Sequence, residues 1–354
     1  MRKTVFLHVG HGKTGTSATQ SIFANISDQL ARKGVLYPEY AQITSLAKLG
    51  VTTSGNAPNS IDEFFIHLKK IVKENSDFDR FCFSNEWFFE QFDAIESFIN
   101  NNKEDFKFSI ILSLRDPVNL LISGYAQKVK VAGFTKKIDG INTDCYLRAG
   151  NIIKFCKKNS VEIHLFNYSK LKQKITENIL QVICPEFTLK KIKNFETMIV
   201  NRSLSKSELM ITRNINKYFG RKMGAKFASR IVKYYPDIEV KKERLKQKKY
   251  DKYKSEHKGH VDFINSFLGE EDQLYWKNNI DNFGYKECFQ GFLNIIFAVK
   301  IILSFNQKLK KGTLPNDFDP EIYLLLNADV KKAGINPAEH FLEHGQKENR
   351  LYKI

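Results

Sequence analysis

The sequence predicts an α/β protein in which a parallel β-sheet is flanked by helices. Three observations lead to this prediction. Apolar runs of strand length recur in the amino-terminal half, segments with helical periodicity lie between them, and a glycine-rich turn follows the first run. Strands that alternate with helices are typical of parallel sheets, which bind ligands at the carboxyl ends of their strands. We therefore expect the functional residues in the loops that follow the strands.

The first predicted strand, KTVFLHV at residues 3–9, leads through the glycine-rich turn into a helix expected over residues 17–33. The buried face of this helix would carry the apolar residues Ile22, Ile26 and Leu30. Another helix is expected to begin at Ser60, because Ser-Ile-Asp-Glu has the form of a capping box. The strand RFCFS follows that helix at residues 80–84.

The stretch KFSIILSL at residues 107–114 is almost continuously apolar, as expected of an interior strand that is covered on both faces. The helix after it is expected to begin with Asp116 at the N-cap and Pro117 at the first helical position. VEIHLFN at residues 161–167 predicts a further strand. The predicted order is thus strand and helix in repetition.

The composition indicates a folded protein that favours anionic partners. The chain has 354 residues, of which 42% are hydrophobic, so it can bury a core. Its 56 Lys and Arg residues against 39 Asp and Glu residues give a formal charge of +17, which suits a nucleotide, an acidic glycan, nucleic acid or an anionic membrane face. Five scattered cysteines without a CxxC pair favour reduced thiols over disulfides or a zinc site. The first apolar run is too short for a signal peptide, so we expect a cytoplasmic protein.

We expect three regions along the chain: residues 1–270 as the α/β domain, 271–312 as a helical extension and 313–354 as a small helical module. The carboxyl-terminal part is basic and helical in character from about residue 200. GFLNIIFAVKIILSF at residues 291–305 is shorter than the roughly 20 residues of a membrane-spanning helix. It is expected either to pack against the protein or to lie on an anionic bilayer at the inner membrane face, with residues 291–311 in contact.

The turn HVGHGKTGTSATQ, residues 8–20, has the composition of a phosphate-binding loop. Its glycines allow the backbone to approach an anion closely, and its side chains offer an ammonium group and hydroxyl groups. The residues concerned are Gly10, Gly12, Lys13, Thr14, Gly15, Thr16 and Ser17.

The loop departs from the Walker A pattern of nucleotide triphosphatases. Leu7 stands where that pattern requires its first glycine, counted back from the Gly-Lys-Thr triplet. The strand RFCFS leads to Asn-Glu at residues 85–86, and not to the aspartate that would hold Mg²⁺. A Mg²⁺-dependent kinase or nucleotide triphosphatase is therefore an alternative prediction.

Two signatures, GHGKTGTS after the first strand and SLRDPVNLLISGY at the end of the interior strand, occur in this order along the chain. They resemble the sulfotransferases that use 3'-phosphoadenosine 5'-phosphosulfate, especially the bacterial carbohydrate-directed members. The second signature includes Arg115 and Ser123. NRSLSKSEL at residues 201–209 is a softer match, and the resemblance covers about residues 1–270.

The resemblance implies 3'-phosphoadenosine 5'-phosphosulfate as the sulfuryl donor and no metal. Lys13 would bind the 5'-phosphosulfate and stabilise the leaving oxygen, and Arg115 and Ser123 would hold the 3'-phosphate. Glu86, in a segment similar to the family's Ser-x-Glu, would accept the proton of the acceptor hydroxyl. The residues expected to cradle the phosphate are Thr14, Gly15, Thr16 and Ser17. Two histidines are weaker candidates for the base, His11 and His8.

The tail at residues 313–354 resembles a short helical module of bacterial polysaccharide-synthesis proteins, in the pattern F-D-x-x-x-Y-L-x-x-N-x-D-V, A-G-x-x-P and H-F-x-x-x-G-x-x-E-x-R. Asn336 and Pro337 would mark the turn between its helices, and His340 and His344 would be solvated. The resemblance implies a polysaccharide or glycolipid acceptor, acidic or neutral. A non-enzymatic module that binds acidic glycan is a further alternative, and nucleic acid is not expected as a partner.

Overall fold

The computed structural model describes residues 2–48, 53–141, 143–187, 203–234, 243–277, 314–315 and 317–353. The chain forms two compact units, Met1–Phe283 and Gly284–Ile354. No helix within the described ranges is long and apolar enough to cross a membrane. The segment 291–311 lies outside the described residues, so its contact with a bilayer stays a prediction, as do the boundaries of the three expected regions.

A five-stranded parallel sheet lies at the centre of the first unit and confirms the predicted α/β class. Its strands are β1 Lys3–Gly10, β2 Val35–Leu36, β3 Arg80–Ser84, β4 Phe106–Leu114 and β5 Glu162–Asn167. They stand in the order β2-β3-β1-β4-β5. The strand β1 is therefore in the middle, and the predicted interior strand β4 pairs on both sides.

The described helices of this unit are α1 Thr16–Asn25, α2 Ser27–Ala31, α3 Ala41–Lys48, α4 Ile61–Glu74, α5 Trp87–Glu90, α6 Phe92–Asn102, α7 Pro117–Ala132, α8 Cys145–Lys158, α9 Tyr168–Leu171, α10 Ile175–Ile183, α11 Lys206–Phe219, α12 Arg221–Tyr234 and α13 Gln247–Asn265.

Helices cover both faces of the sheet, because successive side chains of each strand point into opposite apolar layers. Alternate residues of β1, Val5, Leu7 and Val9, pack with α4, α5, α6, α8 and α13. Phe6 lies on the other face and packs with α1, α2 and α10. The strand β4 alternates in the same way, with Ile111 on the α1 side. Burial on both faces explains why its sequence is almost continuously apolar.

The basic helices α11 and α12 pack against helix α7 and against each other. Asn216 of α11 donates its side-chain amide to the Val129 carbonyl oxygen at 2.8 Å, and Arg213 donates to the Tyr125 hydroxyl at 3.0 Å. Ser205 forms a complete capping box at the start of α11. Since α7 follows β4 directly, these contacts attach the basic helices to the helix that leaves the carboxyl edge of the sheet.

The predicted helix over residues 17–33 is in fact two helices, α1 and α2. Ile26 lies between them with φ −105° and ψ 9°, outside the helical conformation, and this interrupts the run. The predicted buried face is nevertheless confirmed, because Ile22, Ile26 and Leu30 are all buried. The periodicity therefore predicted the face correctly and missed the break.

Ser60 and Asp116 occupy the predicted N-cap positions of α4 and α7, but neither side chain makes a capping hydrogen bond. Ser60 precedes α4 and makes no capping hydrogen bond through its side chain. Asp116 precedes Pro117 at the start of α7, yet its buried carboxylate accepts from the Tyr275 N–H at 3.2 Å and pairs with Lys277 at 3.1 Å. The carboxylate is drawn to partners distant in sequence, and these replace the local cap.

The end of strand β3 is held by the segment that precedes α4. Asn56 donates its backbone N–H to the Ser84 carbonyl oxygen at 3.0 Å and accepts the Ser84 N–H on its side chain at 2.8 Å. Gly55 forms an isolated bridge with Asn85 at φ 124°. A Cβ atom at Gly55 would overlap the Ser84 carbonyl oxygen. Only glycine fits here, and the contact fixes where the chain leaves β3.

The second unit contains short helices, Pro320–Leu326, Ala328–Lys332 and Pro337–His340, followed by a π-helical turn at Phe341–Gly345. Tyr323, Val330 and Phe341 form its core. Asn336 and Pro337 stand where one helix begins after another, as predicted for a turn, and the Asn336 side chain caps the helix that begins at Pro337. His340 corrects the prediction of a solvated side chain: it is buried, with Nδ1 2.8 Å from the Tyr323 hydroxyl. Its burial follows from the packing of its helix on Tyr323.

Alanine substitutions at two glycines should have opposite effects on stability. Gly55→Ala is expected to lower the free energy of unfolding by about 2–4 kcal/mol, because the methyl group overlaps the Ser84 carbonyl and the backbone is left-handed. Gly259→Ala, at an exposed position of helix α13 with open space around the new methyl group, should raise it by up to about 1 kcal/mol. Urea denaturation measures both. Equal effects would show that the Gly55 bridge does not constrain β3.

Candidate functional site

The candidate site lies where the loops after three neighbouring strands meet. The strand order places β1 between β3 and β4, so the loop after β1 has a neighbour on each side. The glycine-rich loop follows β1, Glu86 follows β3 and Arg115 follows β4. Their side chains are in contact through Thr16 and through the backbone of Lys13. The structure thus brings together residues that are distant in sequence.

The backbone of the loop is left-handed at two residues, Lys13 with φ 77° and Gly15 with φ 83°. A residue with a side chain is strained by about 1–2 kcal/mol in this conformation, so Lys13 is held there by its surroundings. Gly15 is the N-cap of α1 and has no side chain that could cap the first turn of this helix. A Cβ atom at Gly15 would lie 2.7 Å from Tyr168 Cε2. The uncapped N–H groups and the helix dipole make this turn suitable for an anion.

Arg115 connects the loop to strand β4. Its Nη1 donates to the Lys13 carbonyl oxygen at 2.9 Å, and its guanidinium lies 5.4 Å from the centre of the Tyr168 ring. Tyr146 donates its hydroxyl to the Arg115 carbonyl oxygen at 2.5 Å. Among the described residues, no acceptor bonds the buried Arg115 Nε. Arg115 is therefore fixed on several sides and retains an N–H group for a further acceptor.

Lys13 lies in a concentration of positive charge. Burial is the main cause that lowers its pKa, and the neighbouring cations Arg115 and Lys130 lower it further, while Glu86 acts in the opposite direction. The Lys13 ammonium donates to the Gln127 side-chain oxygen at 2.9 Å, which is a neutral partner. A bound anion would favour the charged form of Lys13 and would offset the repulsion among these cations.

Glu86 is held against the loop by a hydroxyl group. Thr16 donates its Oγ1 to Glu86 Oε1 at 2.8 Å. Burial raises the pKa of Glu86, against the opposing effects of the Thr16 hydrogen bond and of Lys13. The second oxygen, Oε2, lies 3.4 Å from where a Cβ atom would stand on Gly12. One carboxylate oxygen is therefore engaged by the loop, and the other lies beside its glycine.

Three further residues are predicted to bind the donor: Thr14 and Ser17 of the loop and first turn of α1, and Ser123 of α7. Thr14 is buried and donates its hydroxyl to the His11 carbonyl oxygen at 2.7 Å, so its side chain stabilises the loop itself. Ser17 is half-buried in the first turn of α1. Ser123 is half-buried on α7, one turn before the Gln127 that binds Lys13, and thus on the same helix face. Its proximity to Arg115 stays a prediction.

The two histidines near the loop are uncharged at neutral pH, because burial lowers the pKa of each to about 4. His8 lies in the core between β1 and α1, with Nδ1 2.9 Å from Ser84 Oγ. His11 donates its Nδ1–H to the Gly12 carbonyl oxygen at 2.9 Å and packs edge-on against Phe89. His8 is therefore a core residue, whereas His11 helps to shape the loop.

Sequence analysis missed three residues of the site, Gln127, Tyr168 and Tyr146. Gln127 lies one turn after Ser123 on α7, so helical periodicity applied to the second signature would have indicated it. Tyr168 comes directly after β5, and the rule that ligand-binding residues follow parallel strands would have included it. Tyr146 lies on α8, away from any strand end, and only the tertiary structure brings it to Arg115.

Comparisons with known proteins give no assignment, since neither a family model nor a curated protein sequence matches the chain. The resemblance to sulfotransferases therefore rests on the two signatures and on the residues that carry them.

Glu86→Gln is expected to raise the free energy of unfolding at neutral pH. Because the pKa of Glu86 is raised in the folded state, its contribution to stability is full below the ordinary Glu pKa and is lost as the pH rises through the folded value. Glutamine keeps the oxygen that accepts from Thr16 and carries no charge. Urea denaturation at about pH 7 and about pH 4 should show the gain only at the higher pH.

The exposed Glu104 provides a matched control, since Glu104→Gln removes the same charge at a solvated position. It should change the free energy of unfolding by no more than about 0.5 kcal/mol, as is usual for a substitution at an exposed position. If Glu86→Gln is no more stable than the wild type at neutral pH, the folded protein does not disfavour the charged form of Glu86.

Proposed function

We propose that the protein transfers a sulfuryl group from 3'-phosphoadenosine 5'-phosphosulfate to a hydroxyl group of a saccharide. The observation that carries the proposal is the Arg115 hydrogen bond to the Lys13 carbonyl oxygen. It joins the loop after β1 to the end of β4, which are the two parts of the chain that resemble the sulfotransferases. Lys13 and Arg115, which the resemblance assigns to the same donor molecule, are therefore neighbours in the structure.

The donor carries two anionic groups, and the site has cations to receive both. Lys13 and the uncapped start of α1 would hold the 5'-phosphosulfate, with Thr14, Gly15, Thr16 and Ser17 around it. Arg115 and Ser123 would hold the 3'-phosphate. Support comes from the lowered pKa of Lys13 beside Arg115 and from the Arg115 Nε, which has no acceptor among the described residues. Both features are expected of a site that is completed by an anion.

In the proposed reaction the donor supplies an activated sulfuryl group: the bond from sulfur to the bridging phosphate oxygen breaks as a bond from sulfur to the acceptor oxygen forms. Lys13 would neutralise the charge that develops on the bridging oxygen as it leaves. A fixed cation in a partly desolvated site stabilises such a charge more than it would in water. The products are a sulfate ester and adenosine 3',5'-bisphosphate, and no metal is required.

Glu86 would accept the proton that the acceptor hydroxyl loses. Its burial raises its pKa, which makes the carboxylate a stronger base than a solvated one. The Thr16 hydrogen bond to Oε1 orients the group and leaves Oε2 for the acceptor. Thr16 would therefore act as a positioning residue for Glu86.

The class of acceptor rests on the carboxyl-terminal tail. Its resemblance to a module of bacterial polysaccharide-synthesis proteins favours a polysaccharide or a glycolipid over a small metabolite. The described residues of the tail form a small helical unit with a core of its own around Tyr323. The tail would therefore act as a separate module.

A Mg²⁺-dependent kinase or triphosphatase is the second candidate, and one contact favours it. The Thr16 hydroxyl after β1 donates to the Glu86 carboxylate after β3, so two oxygen groups of the kind that Mg²⁺ prefers lie together. If the protein hydrolyses ATP only with Mg²⁺, if Thr16→Val abolishes that activity, and if no sulfuryl transfer occurs, this candidate replaces the first.

Lys13→Met should greatly slow sulfuryl transfer without unfolding the protein. The methionine keeps the length of the side chain and removes the cation, so the rate should fall by about 10²–10³-fold. Lys13→Arg, which keeps the charge, should retain more activity. The assay follows transfer of radiolabelled sulfate from the donor to a panel of bacterial glycans. Lys158→Met, at an exposed lysine on α8, is the control that should remain active. Full activity of folded Lys13→Met would remove Lys13 from the mechanism.

The kcat/KM for the donor, which reports the pKa values of the free protein, should follow a bell-shaped pH profile. The acid limb reflects protonation of Glu86 and should lie above the ordinary Glu range, because the pKa of this residue is raised. The alkaline limb reflects loss of the Lys13 proton and should lie below the ordinary Lys range, because that pKa is lowered. Glu86→Gln should lower the rate and remove the acid limb. If the acid limb persists in Glu86→Gln, Glu86 only positions the loop.

A further inference from the structure

The turn of a helical hairpin carries exposed aromatic side chains. We call the turn between α11 and α12, residues 217–223, together with Val131 at the end of α7, the hairpin tip. All seven residues 217–223 are exposed. Tyr218 and Phe219 are 69% and 70% exposed, and Met223 and Val131 are each 43% exposed. Isolated apolar residues on a surface are ordinary, whereas a cluster with two adjacent aromatic residues indicates a binding surface.

The hairpin tip is held in place by hydrogen bonds to α7. Asn216 donates its side-chain amide to the Val129 carbonyl oxygen at 2.8 Å and to that of Phe134 at 3.3 Å. Arg221 donates its Nε–H to the Val131 carbonyl oxygen at 2.7 Å. Gly220, with φ 83°, makes the turn itself. The aromatic side chains are therefore presented by a fixed turn, and their exposure does not come from a frayed helix end.

The helices that form and support the hairpin tip carry an excess of positive charge, although the acidic residues Asp139 and Glu243 lie within electrostatic range of Tyr125 on the supporting helix α7. Residues 117–138 and 209–232 contain ten Lys and Arg residues and no Asp or Glu. The ten are Lys128, Lys130, Lys136, Lys137, Arg213, Lys217, Arg221, Lys222, Lys226 and Arg230. The Lys217 ammonium lies 5.0 Å from the centre of the Tyr218 ring, so positive charge and aromatic surface are adjacent. Charge complementarity thus specifies an anionic partner.

We propose that the hairpin tip docks on an anionic phospholipid bilayer. Phe219, Met223 and Val131 offer no hydrogen-bonding group, so they suit the boundary between headgroups and acyl chains better than the hydroxyl-rich surface of a polysaccharide. The Tyr218 hydroxyl and the surrounding cations are placed to bind the headgroups. The inference does not depend on the proposed reaction. It also differs from the predicted contact through residues 291–311, because it rests on described residues of the first unit.

Sedimentation of the full chain with lipid vesicles tests the inference. Vesicles of phosphatidylcholine alone and of phosphatidylcholine mixed with phosphatidylglycerol are compared, and wild-type protein should pellet only with the second. The double variant Tyr218→Ser/Phe219→Ser should weaken this binding about tenfold or more, because two side chains lose their apolar burial. Lys217→Gln/Lys222→Gln should weaken it by roughly fivefold per charge and should reduce its dependence on salt.

Ile66→Ser is the matched control, since Ile66 on α4 is 71% exposed and lies outside the hairpin tip. It should bind the vesicles as the wild type does, and unfolding midpoints should show that all variants are folded. The inference is overturned if wild-type protein does not bind anionic vesicles, if it binds soluble dextran sulfate and not vesicles, or if Tyr218→Ser/Phe219→Ser binds as well as the wild type. That last result would assign membrane contact to another part of the chain.

Discussion

The hydrogen bond from the Arg115 guanidinium to the Lys13 carbonyl oxygen is the interaction on which the site depends. It exists because β1 lies next to β4, so the loop after one strand reaches the residue that ends the other. The bond engages the backbone of Lys13 and leaves its ammonium group to reach across to α7. Tyr168 lies against both Arg115 and Gly15 and so helps to fix the position of the guanidinium relative to the loop. The glycine-rich loop and the second signature are therefore joined in one site.

This arrangement favours binding at some cost in stability. Lys13 has a left-handed backbone and lies beside another cation, and Glu86 is a partly buried carboxylate with a raised pKa. Each feature disfavours the folded protein when no ligand is bound, and an anion would relieve the repulsion among the cations. Residues chosen for stability alone would not combine these features, because charges are normally solvated or paired. The hairpin tip also costs stability when no partner is bound, because its apolar side chains are then exposed to water.

The strands and the loops that carry the site could be predicted because both depend on local patterns. Two-sided burial makes β4 continuously apolar, and a glycine-rich turn between a strand and a helix is visible in a short stretch of sequence. The side-chain partners could not be predicted in the same way. Asp116 occupies the predicted N-cap, yet its carboxylate binds Tyr275, which lies 159 residues away. His340 was expected in solvent and instead meets Tyr323 inside the second unit. A polar side chain can bind a partner nearby in sequence or one that is distant in sequence. Tertiary packing decides between the two, and the spacing of residues along the chain does not predict that packing.

The most direct test of the account is calorimetric titration with adenosine 3',5'-bisphosphate, compared with adenosine 5'-monophosphate and with ATP in the presence of Mg²⁺. The bisphosphate should bind most tightly, because only it presents a phosphate to Arg115 while another lies on the loop that contains Lys13. Arg115→Met should weaken the binding of the bisphosphate more than that of the monophosphate, because it removes the contact with the 3'-phosphate in addition to the bond that holds the loop. If ATP with Mg²⁺ binds more tightly than the bisphosphate, or if Arg115→Met weakens both adenosine ligands equally, the site is not built for a 3'-phosphate and the central claim is wrong.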